Sequence, residues 1–203
     1  MDYNAVKNYI LERLSNELPD NLFYHGVHHA VFVKDRAVLI AEHENISDNE
    51  LTILKTAALC HDFGFIYRYD DNECIAVEEM QKVLPEFSYS NEEIDIICDL
   101  ISATKMPQAP KTYLEEILCD ADMYNLGTPE FCAISQTLRD EFKEQERSFS
   151  DIQWAEFQLV IMKNHRYFTQ YAKNTIELVK QANILELRRK LKTNQHQCNN
   201  TER

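Results

Sequence analysis

The chain has 203 residues, 44% of them apolar, and its ten Tyr and ten Phe supply large burying groups, enough for one sizeable core. A net charge of −13 repels a phosphate backbone at long range and argues against polymeric nucleic acid as a partner; a bound cation would still reverse that sign locally for a small phosphorylated ligand. No stretch approaches the roughly 18 consecutive apolar residues of a membrane span, and Met1-Asp2-Tyr3-Asn4 lacks the basic-then-apolar start of a signal peptide, so a cytoplasmic protein is expected.

With only three Gly and five Pro, the chain is short of turn residues, which disfavours a many-stranded fold and predicts an all-α bundle with short connections. Helix starts are marked at Ser47-Asp48-Asn49-Glu50, Ser90-Asn91-Glu92-Glu93, Thr112-Tyr113-Leu114-Glu115 and Ser150-Asp151-Ile152-Gln153. Each fits the capping box, in which a hydroxyl accepts an orphan backbone N–H and the acid or amide three residues on reciprocates. Thr128-Pro129 offers a further start, with proline at the first helical position.

Apolar spacing supplies the period. Ala30, Val33, Ala37, Ile40 and Ala41 share one helical face; Leu51, Leu54 and Ala58 make the next stripe; Ile94, Ile97, Cys98 and Ile101 another. Leu114, Ile117, Leu118 and Ala121 follow, then Trp154, Phe157 and Ile161. The spacing predicts helices near 3–15, 29–44, 48–62, 73–83, 91–103, 113–124, 129–145, 151–170 and 173–191, within one domain spanning 1–191. The tail Lys192 to Arg203 is polar and aperiodic, so disorder is expected there. The six cysteines (60, 74, 98, 119, 132 and 198) form no CxxC pair and read as reduced core thiols.

Polar residues that extend the apolar stripes carry the functional signal. His61 lies seven residues after Leu54 and three after Ala58; Asp122 lies four after Leu118; His29 stands immediately before Ala30; His165 follows Ile161 by four. Burying an unpaired carboxylate costs several kcal/mol, so an inward Asp needs a partner, and a cation is one that inward histidines can share. Each residue alone fits a hydrogen-bonded core group or a cap. The conjunction of His29, His61-Asp62 and Asp122, each at the end of an amphipathic helix, points to a metal site.

The ordered set His … His-Asp … Asp resembles the signature of the HD superfamily of metal-dependent phosphohydrolases. Three segments carry the resemblance over roughly residues 20 to 145: Tyr24-His25-Gly26-Val27-His28-His29-Ala30-Val31-Phe32-Val33, Thr56-Ala57-Ala58-Leu59-Cys60-His61-Asp62-Phe63-Gly64-Phe65, and Leu118-Cys119-Asp120-Ala121-Asp122-Met123-Tyr124-Asn125-Leu126-Gly127. A stand-alone bacterial HD-domain protein is the kind it looks like. The resemblance implies an HD-domain bundle with extra C-terminal helices over 151–191, with His29, His61, Asp62 and Asp122 as metal ligands, and His25 in the place of a leaving-group acid.

Such a nitrogen and oxygen ligand set suits one divalent Mn, Fe, Co, Ni or Zn, and Mg less well. It lowers the pKa of bound water and polarises a phosphoryl oxygen. Many two-metal relatives carry a further histidine near position 72; here Asn72 stands there, which favours a mononuclear site. Glu73 and Glu78 read either as a solvated helix face or as groups that orient a water. Asp120 reads as a residue that orients a ligand histidine or as an alternative ligand. Lys105 and Arg68 read as surface cations or phosphate contacts, and His165 as a pocket residue or a packed core histidine.

The implied activity is hydrolysis of a phosphate ester or anhydride in a small, nucleotide-like molecule. The alternatives are a catalytically weak regulatory module that binds nucleotide and metal, and a structural helical adaptor. Alarmone hydrolysis ranks low, because its basic helix motif near the first ligand is not evident. A homo-oligomer is compatible with all of these readings.

Overall fold

The structure, a computed structural model, describes the backbone of residues 1–201 and the side chains of residues 1–193. The described residues form nine α-helices and three short 3-10 turns, with no strand among them. By its internal contacts the chain divides into two units, Met1–Tyr124 and Asn125–Arg203, a division that falls inside the stretch of about 20–145 expected to carry the motifs.

The first unit holds α1 (Tyr3–Glu17), α2 (Val27–Ala41), α3 (Asp48–Cys60), α4 (Asn72–Val83), α5 (Asn91–Thr104) and α6 (Tyr113–Asp122), with 3-10 turns at Phe63–Ile66 and Leu84–Phe87. Helix α2 packs chiefly on α3 and α6, and both of those also meet α5, so four helices close around one core. Val33, Ala37 and Ile40 of α2, Leu54, Ala57 and Ala58 of α3, Ile97 and Ile101 of α5, and Ile117 and Leu118 of α6 are fully buried there. Leu51 and Leu114, expected on the same stripes, are only half-buried, and Ile53 takes a core place instead.

Three of the four expected capping boxes are complete, at Ser47, Ser90 and Ser150. At the fourth, Thr112 caps the Glu115 N–H, but the Glu115 carboxylate accepts from the Lys111 N–H at 2.6 Å, one residue early.

The second unit holds α7 (Phe131–Glu144), α8 (Asp151–Asn164) and α9 (Gln170–Thr201), and a third 3-10 turn, Met123–Gly127, leads into it. Helix α7 starts at Phe131 rather than at Pro129. The Thr128 hydroxyl donates to the Asn125 carbonyl at 3.0 Å and closes the preceding turn instead of capping a helix. Helix α8 stops at Asn164, short of the expected 170, because His165 is extended (φ −70°, ψ 139°) and the chain restarts where the Thr169 hydroxyl accepts the Ala172 N–H.

Phe142, Phe149, Trp154 and Phe157 form an aromatic cluster with centroids 5.3–6.0 Å apart, and the Trp154 indole N–H donates to Ser135 Oγ at 3.2 Å. Helix α9 continues past the expected boundary at 191 to Thr201. The disorder expected for 192–203 falls mostly on residues outside those whose side chains are described.

Among the described cysteines, Cys60, Cys98 and Cys119 are buried free thiols, whereas Cys74 and Cys132 are exposed. The core-thiol reading therefore fails for those two, and Cys198 lies outside the described side chains. No helix among the described residues is long and apolar enough to cross a membrane.

Candidate metal centre

Three helix ends converge in the first unit. His29 sits in the first turn of α2, His61 is the C-cap of α3, and Asp122 is the last residue of α6. The C-terminal ends of α3 and α6 carry negative partial charge, which favours a cation between them. Asp62 follows the cap in the sparsely populated bridge conformation (φ −101°, ψ 10°), which turns its side chain out of the helical path.

The ligand-type atoms meet closely. One each from His29, His61 and Asp122 lie within 4.8 Å of one another. Asp62 Oδ2 stands 3.1 Å from His61 Nε2 and 3.4 Å from His29 Nε2, and Asp122 Oδ1 lies 3.3 Å from His29 Nε2 and 3.6 Å from His61 Nε2. His61 Nδ1 donates to the Ala58 carbonyl at 2.9 Å, which turns Nε2 toward the carboxylates. His61 Nε2 and Asp62 Oδ2 are nevertheless buried without a hydrogen-bond partner. Buried polar atoms are nearly always satisfied, so two adjacent orphans on metal-ligating residue types fit a coordinated cation.

The charges agree. Burial works against ionisation of His61, but the neighbouring Asp62 and Asp122 carboxylates outweigh it and hold its pKa well above the ordinary histidine value. Burial likewise opposes charge on Asp62 and Asp122, yet the histidines hold both below the usual carboxylate range. The pocket therefore keeps two carboxylate anions and attracts positive charge.

Around this group, Tyr24 and His25 cover His29, with ring centroids 4.7 and 5.8 Å from it. His25 stacks on Phe65 at 4.3 Å and 23°, close enough for its charge to lower the Asp62 pKa. Asp120 is completely buried, as are Cys119 and Ala121 beside it, so its place off the Leu114–Leu118 stripe does not expose it. The group whose ligand atoms all converge is His29, His61 and Asp122; it includes neither Asp120 nor Asp62, although Asp62 Oδ2 reaches both histidines. Glu73 departs from the solvated-face reading. It is half-buried, and burial together with the charges of Asp62 and Asp122 raises its pKa against the opposing pull of Lys105. Glu78 is exposed.

Lys105 and Arg68 both reach Asp71, at 2.7 and 4.0 Å, on an exposed surface one residue before Asn72. His165 lies in the second unit, where the Lys180 ammonium sits 3.3 Å from its Nδ1 and donates to its carbonyl at 3.0 Å.

Two amides complete the surroundings. The buried Asn72 donates through Nδ2 to Asp62 Oδ1 at 3.1 Å, and Gln108 donates through Nε2 to Asp122 Oδ2 at 3.1 Å. Gln108 escapes a reading of the sequence because it sits in an aperiodic loop between α5 and α6 and is uncharged. Gly64 explains how Asn72 comes so near: a Cβ at Gly64 would lie 1.9 Å from the Asn72 carbonyl oxygen, so only glycine lets the two backbones meet.

The sequence matches no protein-family model and no curated protein. Among solved structures, Bacillus subtilis YpgQ, determined in complex with ADP, is similar over 95% of this chain and 97% of its own, with 22% identity and a TM-score of 0.67. A predicted HD superfamily hydrolase from an uncultured Thermotogales bacterium is similar over 79% of this chain and 86% of its own, with 19% identity and a TM-score of 0.55. The chain therefore has the HD-domain fold.

Proposed function

We propose that the protein is a metal-dependent phosphohydrolase acting on a phosphate ester or anhydride of a small, nucleotide-like molecule. The observation that carries this reading is the convergence of His29, His61 and Asp122 ligand atoms within 4.8 Å, beside Asp62 Oδ2 and His61 Nε2, two buried atoms that lack a hydrogen-bond partner. The ADP held by a neighbour of similar fold supports the nucleotide class.

In this reading His29, His61, Asp62 and Asp122 hold one divalent transition ion such as Mn, Fe, Co, Ni or Zn. When bound, that ion supplies positive charge to the phosphoryl oxygens and makes a water acidic enough to attack near neutral pH. The two Asp anions balance the ion's charge. His25, steadied by Phe65, would in its protonated form donate its ring proton to the leaving oxygen as the phosphorus–oxygen bond breaks. Asp120, buried in the last turn of α6, orients a ligand histidine and does not bind the ion. Lys105 and Arg68 receive outlying phosphate charge, which competes with Asp71 for them. His165 takes the structural role its contacts with Lys180 describe.

A phosphate-release screen over nucleoside mono-, di- and triphosphates and sugar phosphates, with and without Mn, tests the reading. Release that requires the ion and favours nucleotides is the expected result. ADP binding without release from any substrate would instead support a regulatory nucleotide-binding module.

A further inference from the structure

The two carboxylates of the centre are dressed in the same way. Asp62 turns Oδ2 toward both histidine nitrogens and gives Oδ1 to Asn72; Asp122 turns Oδ1 toward both histidines and gives Oδ2 to Gln108. Each carboxylate is thus split into an inner oxygen facing the ion position and an outer oxygen occupied by an amide donor.

The chemistry fixes the amide orientation. Gln108 Nε2 faces two acceptors, Asp122 Oδ2 at 3.1 Å and the Cys119 carbonyl at 3.4 Å, so the flipped amide would set oxygen against oxygen. Asn72 faces a carboxylate oxygen and is held there by its backbone contact with Gly64. Neutral donors also matter for charge. A lysine or arginine at either place would pair with the carboxylate and cancel the negative charge that attracts a cation, whereas an amide orients the group and leaves its charge intact.

We propose that Asn72 and Gln108 are positioning residues of the metal centre, a pair of neutral clamps that hold Asp62 and Asp122 to one-oxygen coordination and restrict the centre to a single ion. The inference rests on the metal-centre reading above. With its outer oxygen accepting from Asn72, Asp62 has to give up or share that hydrogen bond before this oxygen reaches a second cation, which disfavours a bridge through both oxygens.

Mn titration of the ion-free protein by calorimetry, with the absorption spectrum of the Co-loaded protein, tests the proposal on wild type, Asn72→Ser, Gln108→Met and His61→Ala. Met keeps the length of Gln without its hydrogen bonds, and Ser keeps a small polar group, so both variants should fold, as circular dichroism will check. Wild type should bind one Mn, and each clamp variant should bind about 10–100-fold more weakly, the usual cost of losing an outer-shell partner. Each clamp variant should also have an altered Co spectrum, which a merely structural role would not produce. Unchanged affinity and spectrum in both clamp variants, or two tightly bound Mn in wild type, would overturn the proposal. Loss of Mn in His61→Ala together with unaffected clamp variants leaves the metal centre standing and removes only the clamps; Mn retained in His61→Ala removes the centre itself.

Discussion

Each unit of the molecule buries a polar cluster, and the two are finished differently. In the second unit the Lys180 ammonium, 1% exposed, meets Glu177 Oε2 at 2.7 Å, the His165 carbonyl at 3.0 Å and His165 Nδ1 at 3.3 Å, with the Tyr167 ring below it. Three donors find three acceptors, and the cation is matched within its own unit. In the first unit, outer atoms are tied down just as carefully, by Ala58, Asn72 and Gln108, while His61 Nε2 and Asp62 Oδ2 face each other at 3.1 Å without a hydrogen-bond partner. What sets the first cluster apart is convergence: ligand-type atoms of His29, His61 and Asp122 lie within 4.8 Å of one another, an arrangement that suits a cation.

The contrast can be broken from either side. The largest effect should come from Asp122→Ala, which removes an inner oxygen. We expect loss of the bound ion and of hydrolysis with the helices intact, read by elemental analysis, activity and circular dichroism. Lys180→Ala should do the opposite. Removing one member of a buried pair costs about 3 kcal/mol here, the low end of the usual range because Glu177 still reaches water, and Mn affinity should not move. Denaturant titration beside calorimetry checks both halves, and a Lys180 variant that lost Mn would blur the distinction.

His25→Ala should keep the ion and lose on the order of a hundredfold in turnover. That loss should shrink on nitrophenyl phosphate, whose leaving group needs no proton; an equal loss on both substrate kinds would make His25 a positioning residue. Asp120→Asn sharpens the comparison within α6. It should retain most of the ion and lose about 10–100-fold in turnover, whereas loss of the ion would make Asp120 a ligand in place of Asp122.

Much of the fold was legible because it is written in local chemistry. Ser47, Ser90 and Ser150 each carry a reciprocating side chain three residues on, and the stripe through Val33, Ala37 and Ile40 is buried as its period requires. The readings that failed depended on competition between near neighbours. Glu115 prefers the Lys111 N–H, Thr128 prefers the Asn125 carbonyl, and an extended His165 ends α8 early. At the centre, His29, His61, Asp62 and Asp122 stand out because charged groups interrupt apolar helix ends. Gln108 does not stand out: an amide in an aperiodic loop gains meaning only when folding brings it to Asp122. Asn72 was visible as a departure at its position, but its bond to Asp62 depends on the Gly64 contact, which no spacing rule encodes.

The most direct test of the open cluster is elemental analysis of the protein purified without chelator, beside His61→Ala prepared identically. About one Mn, Fe, Co, Ni or Zn is expected per wild-type chain, as the ligand set supports one tight site, and none in the variant at unchanged helical content. Wild-type protein that carries no transition metal and gains no thermal stability on adding Mn, Co, Ni or Zn would contradict it.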